Sequence, residues 1–213
     1  MEDVVILPMF PLSAVVFPGT RLPLHVFEPR YRQLVEDLDE TSGHFGIVLI
    51  TRGSEVGGGD VRSTIGVEVE VEYLSTSADG RSMMVVRAIE RLEVFSWLDG
   101  APYPKAMVQR IPSHEFTSDQ ELLKQTMSVV RRTRALLSEV GDTPALCHDL
   151  EESWGVDEAA WQLCSLAPLS LYDAQRLLET SDPEHRLAQL RDVCEAISQM
   201  AIALLESGDA TFE

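Results

Sequence analysis

In LPLHVFEPRYRQLVED, residues 22–37, a proline-cut extended segment runs straight into a helix. Pro29 suits the first helical position, where the absent N–H has no carbonyl to meet. Tyr31, Leu34, Val35 and Leu38 follow at i, i+3, i+4 and i+7, the spacing of one buried helix face. The charges contradict this helix locally. Arg30 and Arg32 fall in the first turn, where the backbone dipole is positive, each unfavourable by about 0.3–1 kcal/mol. Asp37, Asp39 and Glu40 crowd the negative end. A helix that breaks the rule at both ends is held by tertiary contacts. Glu28, Pro29 and Arg30 therefore read as a structural motif, with Arg30 expected to form a specific ion pair or to hydrogen-bond carbonyl groups of the strands.

Upstream, Val4–Leu7, Ala14–Phe17 and Arg21–His25 are short strand candidates, cut by Pro8, Pro11, Pro18-Gly19 and Pro23. Proline lacks the ladder donor, so these segments are expected at edges, bulges or strand starts. Downstream, His44–Thr51 reads as a buried strand, and Gly53–Asp60, with its run of glycines, as an open loop. Val67, Val69, Val71 and Tyr73 then alternate with Glu68, Glu70 and Glu72, and Asp79-Gly80 is a strong hairpin-turn signal. A two-residue loop there predicts Glu72 opposite Arg87 and Glu68 opposite Arg91, pairs worth about 0.2–1 kcal/mol each. The same register puts Glu90 on the valine face; a bulge near Glu90 would spoil the Glu68 pairing but not that of Glu72. Further strands are predicted at Leu92–Leu98 and Ala106–Ile111.

Texture changes near Pro112. Residues 1–112 are rich in Val, Gly and Pro and carry ten basic and sixteen acidic side chains; residues 113–213 are rich in Leu, Ala and Glu and carry seven and nineteen. This predicts an α+β protein, a β-rich unit over 1–112 followed by an all-α helical bundle over 113–213. Ser118-x-x-Glu121 is a capping box opening a helix with the stripe Leu122, Leu123, Met127, Val130, Leu137 and Val140, ending at Gly141. Further helices are predicted around Pro144–Glu152 and Asp157–Leu166, from Ser170-x-x-Asp173, and from Asp182-Pro183. The last carries the stripe Leu187, Leu190, Cys194, Ile197, Ala201 and Leu204.

Several function classes are disfavoured. The formal charge is −18, which repels phosphate backbones and anionic lipid, and the densest basic cluster, Arg131, Arg132 and Arg134, lies in a helical pattern. Neither nucleic acid nor a membrane is an expected partner. The start MEDVVILPMF lacks a basic n-region, no stretch approaches the roughly 18 apolar residues of a membrane span, and Cys147, Cys164 and Cys194 form no CxxC pair. A reducing cytoplasm is the expected compartment. The two lysines, Lys105 and Lys124, stand in no Walker loop and suggest no Ser-Lys dyad, and no G-x-S-x-G elbow appears. Gly57, Gly58 and Gly59 lack a dinucleotide loop's strand-to-helix frame. Cys147-His148 reads as a core thiol beside a surface imidazole, since helix neighbours diverge by about 100°. His25, His44, His114, His148 and His185 show no metal-ligand spacing. Glu68, Glu70 and Glu72 read as a solvated, arginine-paired strand face. No catalytic, cofactor-binding or metal-ligating residue is expected.

The segment LPMFPLSAVVFPGTRLPLHVFEPRYRQLVED (7–37) resembles the start of the Lon protease N-terminal, substrate-binding domain. The resemblance continues at Ile65-Gly66, in DGRSMMVVRAIERLEVF (79–95) and PYPKAMVQRI (102–111), and in LSLYDAQRLLETSDPEHRLAQLRD (169–192), similar to that family's last helices. It implies a PUA-like pseudo-β-barrel followed by an α-helical unit. In full Lon proteases this domain engages polypeptide substrates, and an ATPase and a Ser-Lys protease follow it. This sequence is read as a stand-alone form that keeps the binding role and none of the catalysis. The expectation is a non-enzymatic polypeptide-binding or adaptor module for unfolded or basic polypeptides, working with a partner such as a separate protease. Exposed apolar residues near the barrel–bundle junction are the expected contacts, with Phe10, Phe17, Phe27, Tyr31, Trp97 and Tyr103 as candidates. Unpaired strand edges left by the prolines would add a place for an extended peptide. The competing reading is a small-ligand enzyme or binding protein using a cleft between barrel and bundle, marked by two titratable side chains in hydrogen-bond reach.

Overall fold

The computed structural model describes residues 4–53, 60–100, 102–112, 120–141 and 156–207. Two compact units result, Met1–Ser113 and His114–Glu213. The Ser118 cap, the helix predicted around 144–152, His114, Gly57–Gly59 and Cys147-His148 lie outside the described residues.

The first unit contains β1 (Val4–Leu12), β2 (Arg21–Val26), α1 (Pro29–Glu36), a 3-10 turn (Leu38–Thr41), β3 (His44–Arg52), β4 (Val61–Thr76), β5 (Ser82–Leu98) and β6 (Lys105–Ile111). The strand order is β2-β5-β4-β3-β1-β6, and β6 pairs back with β5. Five strands therefore close into a ring, with β2 flanking it on β5. Only β1 and β3 run parallel. The return strand of the predicted hairpin, with Arg87 and Arg91, and the strand predicted at Leu92–Leu98 are one long strand, whose first half faces β2 and whose second half faces β6. Leu7, Met9, Val48, Leu92, Val94, Ala106 and Val108 pack together inside. Gly66 lies opposite Val48, and a Cβ there would run into the Ile47 carbonyl oxygen, so only glycine fits.

Pro8 and Pro11 correct the edge-strand expectation: both lie within β1, between β3 and β6. The reason is a change of neighbour along the strand. β1 pairs with β6 over Val4–Pro8 and with β3 over Met9–Leu12. The Met9 N–H donates to the Pro104 carbonyl at 2.8 Å. Successive N–H groups point to opposite sides, so the Pro8 nitrogen faces β3 before that ladder opens. The Pro11 nitrogen faces the β6 side after that ladder has ended. Pro23 obeys the simpler rule on terminal β2. Ala88 N–H donates to Thr20 O (2.9 Å) and Gly19 N–H to Ala88 O (2.8 Å), so Gly19 and Thr20 form a bulge opposite Ala88 and the Thr20 carbonyl points at β5. By alternation Arg21, Pro23 and His25 turn their backbone groups away from β5.

Two further expectations fail. Ala14–Phe17 is not a strand, because Thr20 folds back through its N–H and hydroxyl onto the Phe17 carbonyl, forming a turn docked on β5. The hairpin loop is wider than two residues: Ser77 N–H donates to Arg81 O, and Thr76 pairs with Ser82. That one-residue change, with bulges at Glu72 and at Ile89, puts Glu70 opposite Arg87 and Glu68 opposite Glu90; the second is the bulge near Glu90 that would spoil the pairing of Glu68 with Arg91. Glu72 keeps the expected Arg87 as an ion-pair partner at 3.3 Å and adds Arg21 at 2.6 Å, whereas Arg91 is buried opposite Val67 rather than Glu68.

The second unit contains α2 (Gln120–Glu139), α3 (Val156–Leu166), α4 (Leu171–Glu179) and α5 (Pro183–Ser207) among the described residues. The Ser170 hydroxyl accepts the Asp173 N–H at 3.1 Å and the Asp182 carboxylate the His185 N–H at 2.7 Å, as the start signals predicted. Leu187, Leu190, Cys194 and Ala201 are buried as the stripe requires. On α2 the buried line is Thr126, Val130, Thr133 and Leu137. The two threonines are accommodated because each hydroxyl bonds the carbonyl four residues back, at 2.8 and 2.9 Å, and Thr133 also meets Ser198 and the Cys194 carbonyl on α5. Arg186 is buried with its guanidinium 3.4 Å over the Trp161 ring. No described helix is long and apolar enough to cross a membrane.

Candidate functional site

The segment from β2 into α1 builds one wall of a cleft of about 190 Å³, and the end of β1 builds the other. Phe10, Pro11 and Leu12 face Pro23, Leu24, His25 and Val26, with Phe27, Glu28 and Tyr31 from the turn into α1. The Phe10 and Tyr31 rings stack with centroids 4.1 Å apart, and Phe45 lies 6.2 Å from Phe10. Burial pushes the Tyr31 phenol up to about 12, against the pull of Arg30, so it stays protonated at neutral pH. Among the described residues His25, Glu28 and Tyr31 make no hydrogen bond to one another, so the wall holds no acid–base pair.

The helix that breaks the dipole rule is held from both ends. Arg30 Nε reaches Glu28 Oε2 at 3.1 Å and its guanidinium lies 4.5 Å over Tyr31, the ion pair that its sequence context predicts. Carbonyl contacts come from Arg32, whose Nε donates to Phe27 O at 3.0 Å and whose Nη1 donates to Asp79 O at 3.1 Å. That second bond clamps the hairpin loop, where Gly80 adopts φ +78 with the same guanidinium against it. At the other end the Asp37 carboxylate accepts from Gln33 (2.9 Å) and from the Tyr103 hydroxyl (2.8 Å), and these bonds hold it below the usual carboxylate range.

The six aromatic candidates separate. Phe10 and Tyr31 line the cleft as buried floor, and Phe27, 55% exposed, stands at its rim. Phe17 and Tyr103 are core residues, which corrects their reading as surface contacts: Phe17 belongs to the turn docked on β5, and Tyr103 is tied to Asp37. Trp97 is 37% exposed on β5, under the Arg62 guanidinium at 4.2 Å, and Arg62 is ion-paired with Asp60. Sequence reasoning missed Leu12, Leu24, His25 and Val26 as lining. The signal was present, because most lining residues sit in 22–37.

The three glutamates also separate. Glu70 and Glu72 form the expected arginine-paired face, Glu70 with Arg87 (Nε at 2.9 Å) and Glu72 with Arg21. Glu68 is arginine-paired too, but it is not solvated: its side chain is 1% exposed. Arg110 Nε and Nη2 donate to its two oxygens at 2.6 and 2.9 Å, and His44 Nδ1 lies 2.9 Å from Oε1. Burial pushes this carboxyl up, but the Arg110 and His44 contacts outweigh it and hold the group below its ordinary value. Glu90, 3.3 Å from Arg110, is pushed up by its own burial and by the Glu68 charge. Lys105 stands 5.1 Å from the Tyr103 ring and Lys124 is exposed on α2; among the described residues neither hydrogen-bonds a serine.

The profile of the ATP-dependent protease La (LON) substrate-binding domain matches residues 6–194. A Lon protease of Anaeromyxobacter dehalogenans is 25% identical over 87% of this chain, which spans 22% of that relative's length. A LON peptidase N-terminal domain and RING finger protein of Schizosaccharomyces pombe is 22% identical over 85% of this chain and 43% of its own. The crystal structure of a Lon N-terminal domain protein from Xanthomonas campestris superposes with a TM-score of 0.65 and 29% identity, covering 87% of this chain and 96% of that one. With nearly its whole length matched and the fold shared, the chain belongs to the Lon substrate-binding domain family.

Proposed function

We propose that this chain is a non-enzymatic polypeptide-binding or adaptor module, and that the cleft between β1 and the β2–α1 turn is where it holds its client. The match of residues 6–194 to a substrate-binding domain carries the reading. The cleft supports it with a mostly apolar wall, one exposed aromatic ring at the rim and no paired acid and base. The S. pombe relative, which joins this domain to a RING finger, supports use of the domain outside a full protease. The formal charge of −18 favours unfolded or basic polypeptides, with a separate protease as one kind of partner, in the cytoplasm. The closed sheet is read as a PUA-like pseudo-barrel and the helical unit as a small bundle. Titrating the intact chain with a fluorescent, permanently unfolded polypeptide should give saturable binding that weakens as salt rises. Indifference to unfolded polypeptides of every charge, or turnover of a small molecule or peptide by the purified chain alone, would overturn the reading.

A further inference from the structure

Resting on that reading, we propose that the cleft captures one large apolar side chain of the client and selects positive charge beside it through Glu28. Three observations converge. The first concerns the backbone. Adding an extended peptide to a sheet edge needs donors and acceptors in alternation along that edge. The two strands that wall the cleft interrupt it with proline: Pro23 turns its missing N–H outward at the centre of β2, and Pro11 does so on β1 beyond the last β6 pair. Main-chain pairing is broken on both sides, which leaves capture through a side chain.

The second is size. About 190 Å³ is slightly more than the roughly 150 Å³ apolar cavity that holds a benzene molecule. One phenyl-sized or leucine-sized group fits against Leu12, Leu24 and Val26; two do not. The stacked Phe10 and Tyr31 rings make the floor rigid, so little ordering is needed on binding.

The third is charge. Glu28 is the one acidic side chain of the lining, and the cation beside it, Arg30, stands outside the lining and engages one of its two oxygens. Its Oε2 takes the Arg30 bond, while Oε1 accepts no hydrogen bond among the described residues. That oxygen can receive an ammonium or guanidinium from the residue next to the inserted side chain, and the net negative charge of the chain adds attraction at longer range.

The test uses the isotope-labelled intact chain and Gly/Ser-rich peptides carrying a single Phe-Lys pair, with amide shifts of Phe27 and Glu28 as readout. Replacing Phe by Ala in the peptide should weaken binding about tenfold or more. Replacing Lys by Glu should weaken it several-fold, an effect that shrinks at high salt. Glu28→Gln in the protein should remove the Lys/Glu preference and keep the Phe/Ala preference. Phe27→Ala, at an exposed position that leaves the core intact, should weaken the Phe peptide. N-methylating the peptide amides should leave binding unchanged. Equal binding of Phe and Ala peptides, a charge preference that survives Glu28→Gln, or loss on N-methylation would overturn the proposal while unfolded polypeptide still binds. Loss of binding to both the peptides and the unfolded polypeptide would remove the underlying reading as well.

Discussion

Replacing Arg110 with Met should loosen the sheet unit by stranding a buried charge. Glu68 is 1% exposed and receives two charge-assisted hydrogen bonds from Arg110, at 2.6 and 2.9 Å. Breaking a fully buried ion pair costs about 3–5 kcal/mol, because the remaining charge has neither water nor partner. Here the guanidinium is 43% exposed, so water can enter the space it leaves, and the His44 contact at 2.9 Å remains. The expected cost is therefore lower, about 2–3 kcal/mol. Peptide-resolved hydrogen exchange on the intact chain should show β6 and the facing part of β4 exchanging about 30- to 150-fold faster. The double variant Glu68→Gln, Arg110→Met should recover most of the protection, because the buried carboxylate that lost its partner is then neutral. The pH dependence has a definite sign. Glu68 is held below its ordinary 4.5 when folded, so its contribution is complete above that value and is lost as pH falls through the lower folded one. In Arg110→Met the carboxyl binds a proton more readily, so the gap between variant and parent should close on acidification. A change under about threefold at neutral pH, or a double variant as labile as the single, would refute the reasoning.

Glu90, by contrast, is held above its ordinary value, so its charge opposes folding at neutral pH and the penalty fades as pH falls below the folded value. Glu90→Gln should raise the urea midpoint slightly at neutral pH and leave it unchanged in acid; a lower midpoint would mean that the Arg110 contact outweighs the repulsion from Glu68. Gly66→Ala should cost about 1–3 kcal/mol or more, since the new Cβ meets the Ile47 carbonyl and the strand must move; an unchanged melting temperature would show that β3 and β4 can separate freely. Arg30→Met should lower thermal stability by roughly 1 kcal/mol through loss of the Glu28 pair and the Tyr31 contact, both partly screened; equal melting curves would remove the structural role.

Local chemistry marked most of the elements. Pro29 with Tyr31 and Leu34 marked α1, the valine alternation marked β4, and Ser170 and Asp182 marked two helix starts within the chain itself. These signals are legible because capping and periodic burial involve residues a few positions apart. The hairpin register was not, since it depended on whether Ser77 would bond Arg81 and on two bulges, which together moved Glu68 off Arg91 and brought Glu70 to Arg87, while Glu72 kept an ion pair with Arg87. The prolines of β1 misled for a related reason. A rule about donors knows only the residue, whereas the neighbour facing that donor changes midway along the strand.

The sequence by itself determined a strand-rich half, a helical half, a misplaced pair of arginines and the segment that forms one wall of the cleft. Only the tertiary structure decided which aromatic rings are floor, rim or core, which glutamate is buried, and that Arg32, not Arg30 alone, secures α1 through carbonyl groups. Periodicity states that a side chain leaves water. Which oxygen or ring it meets there depends on chain segments tens of residues apart, such as Arg32 and Asp79 or Glu68 and Arg110, whose approach is set by closure of the sheet.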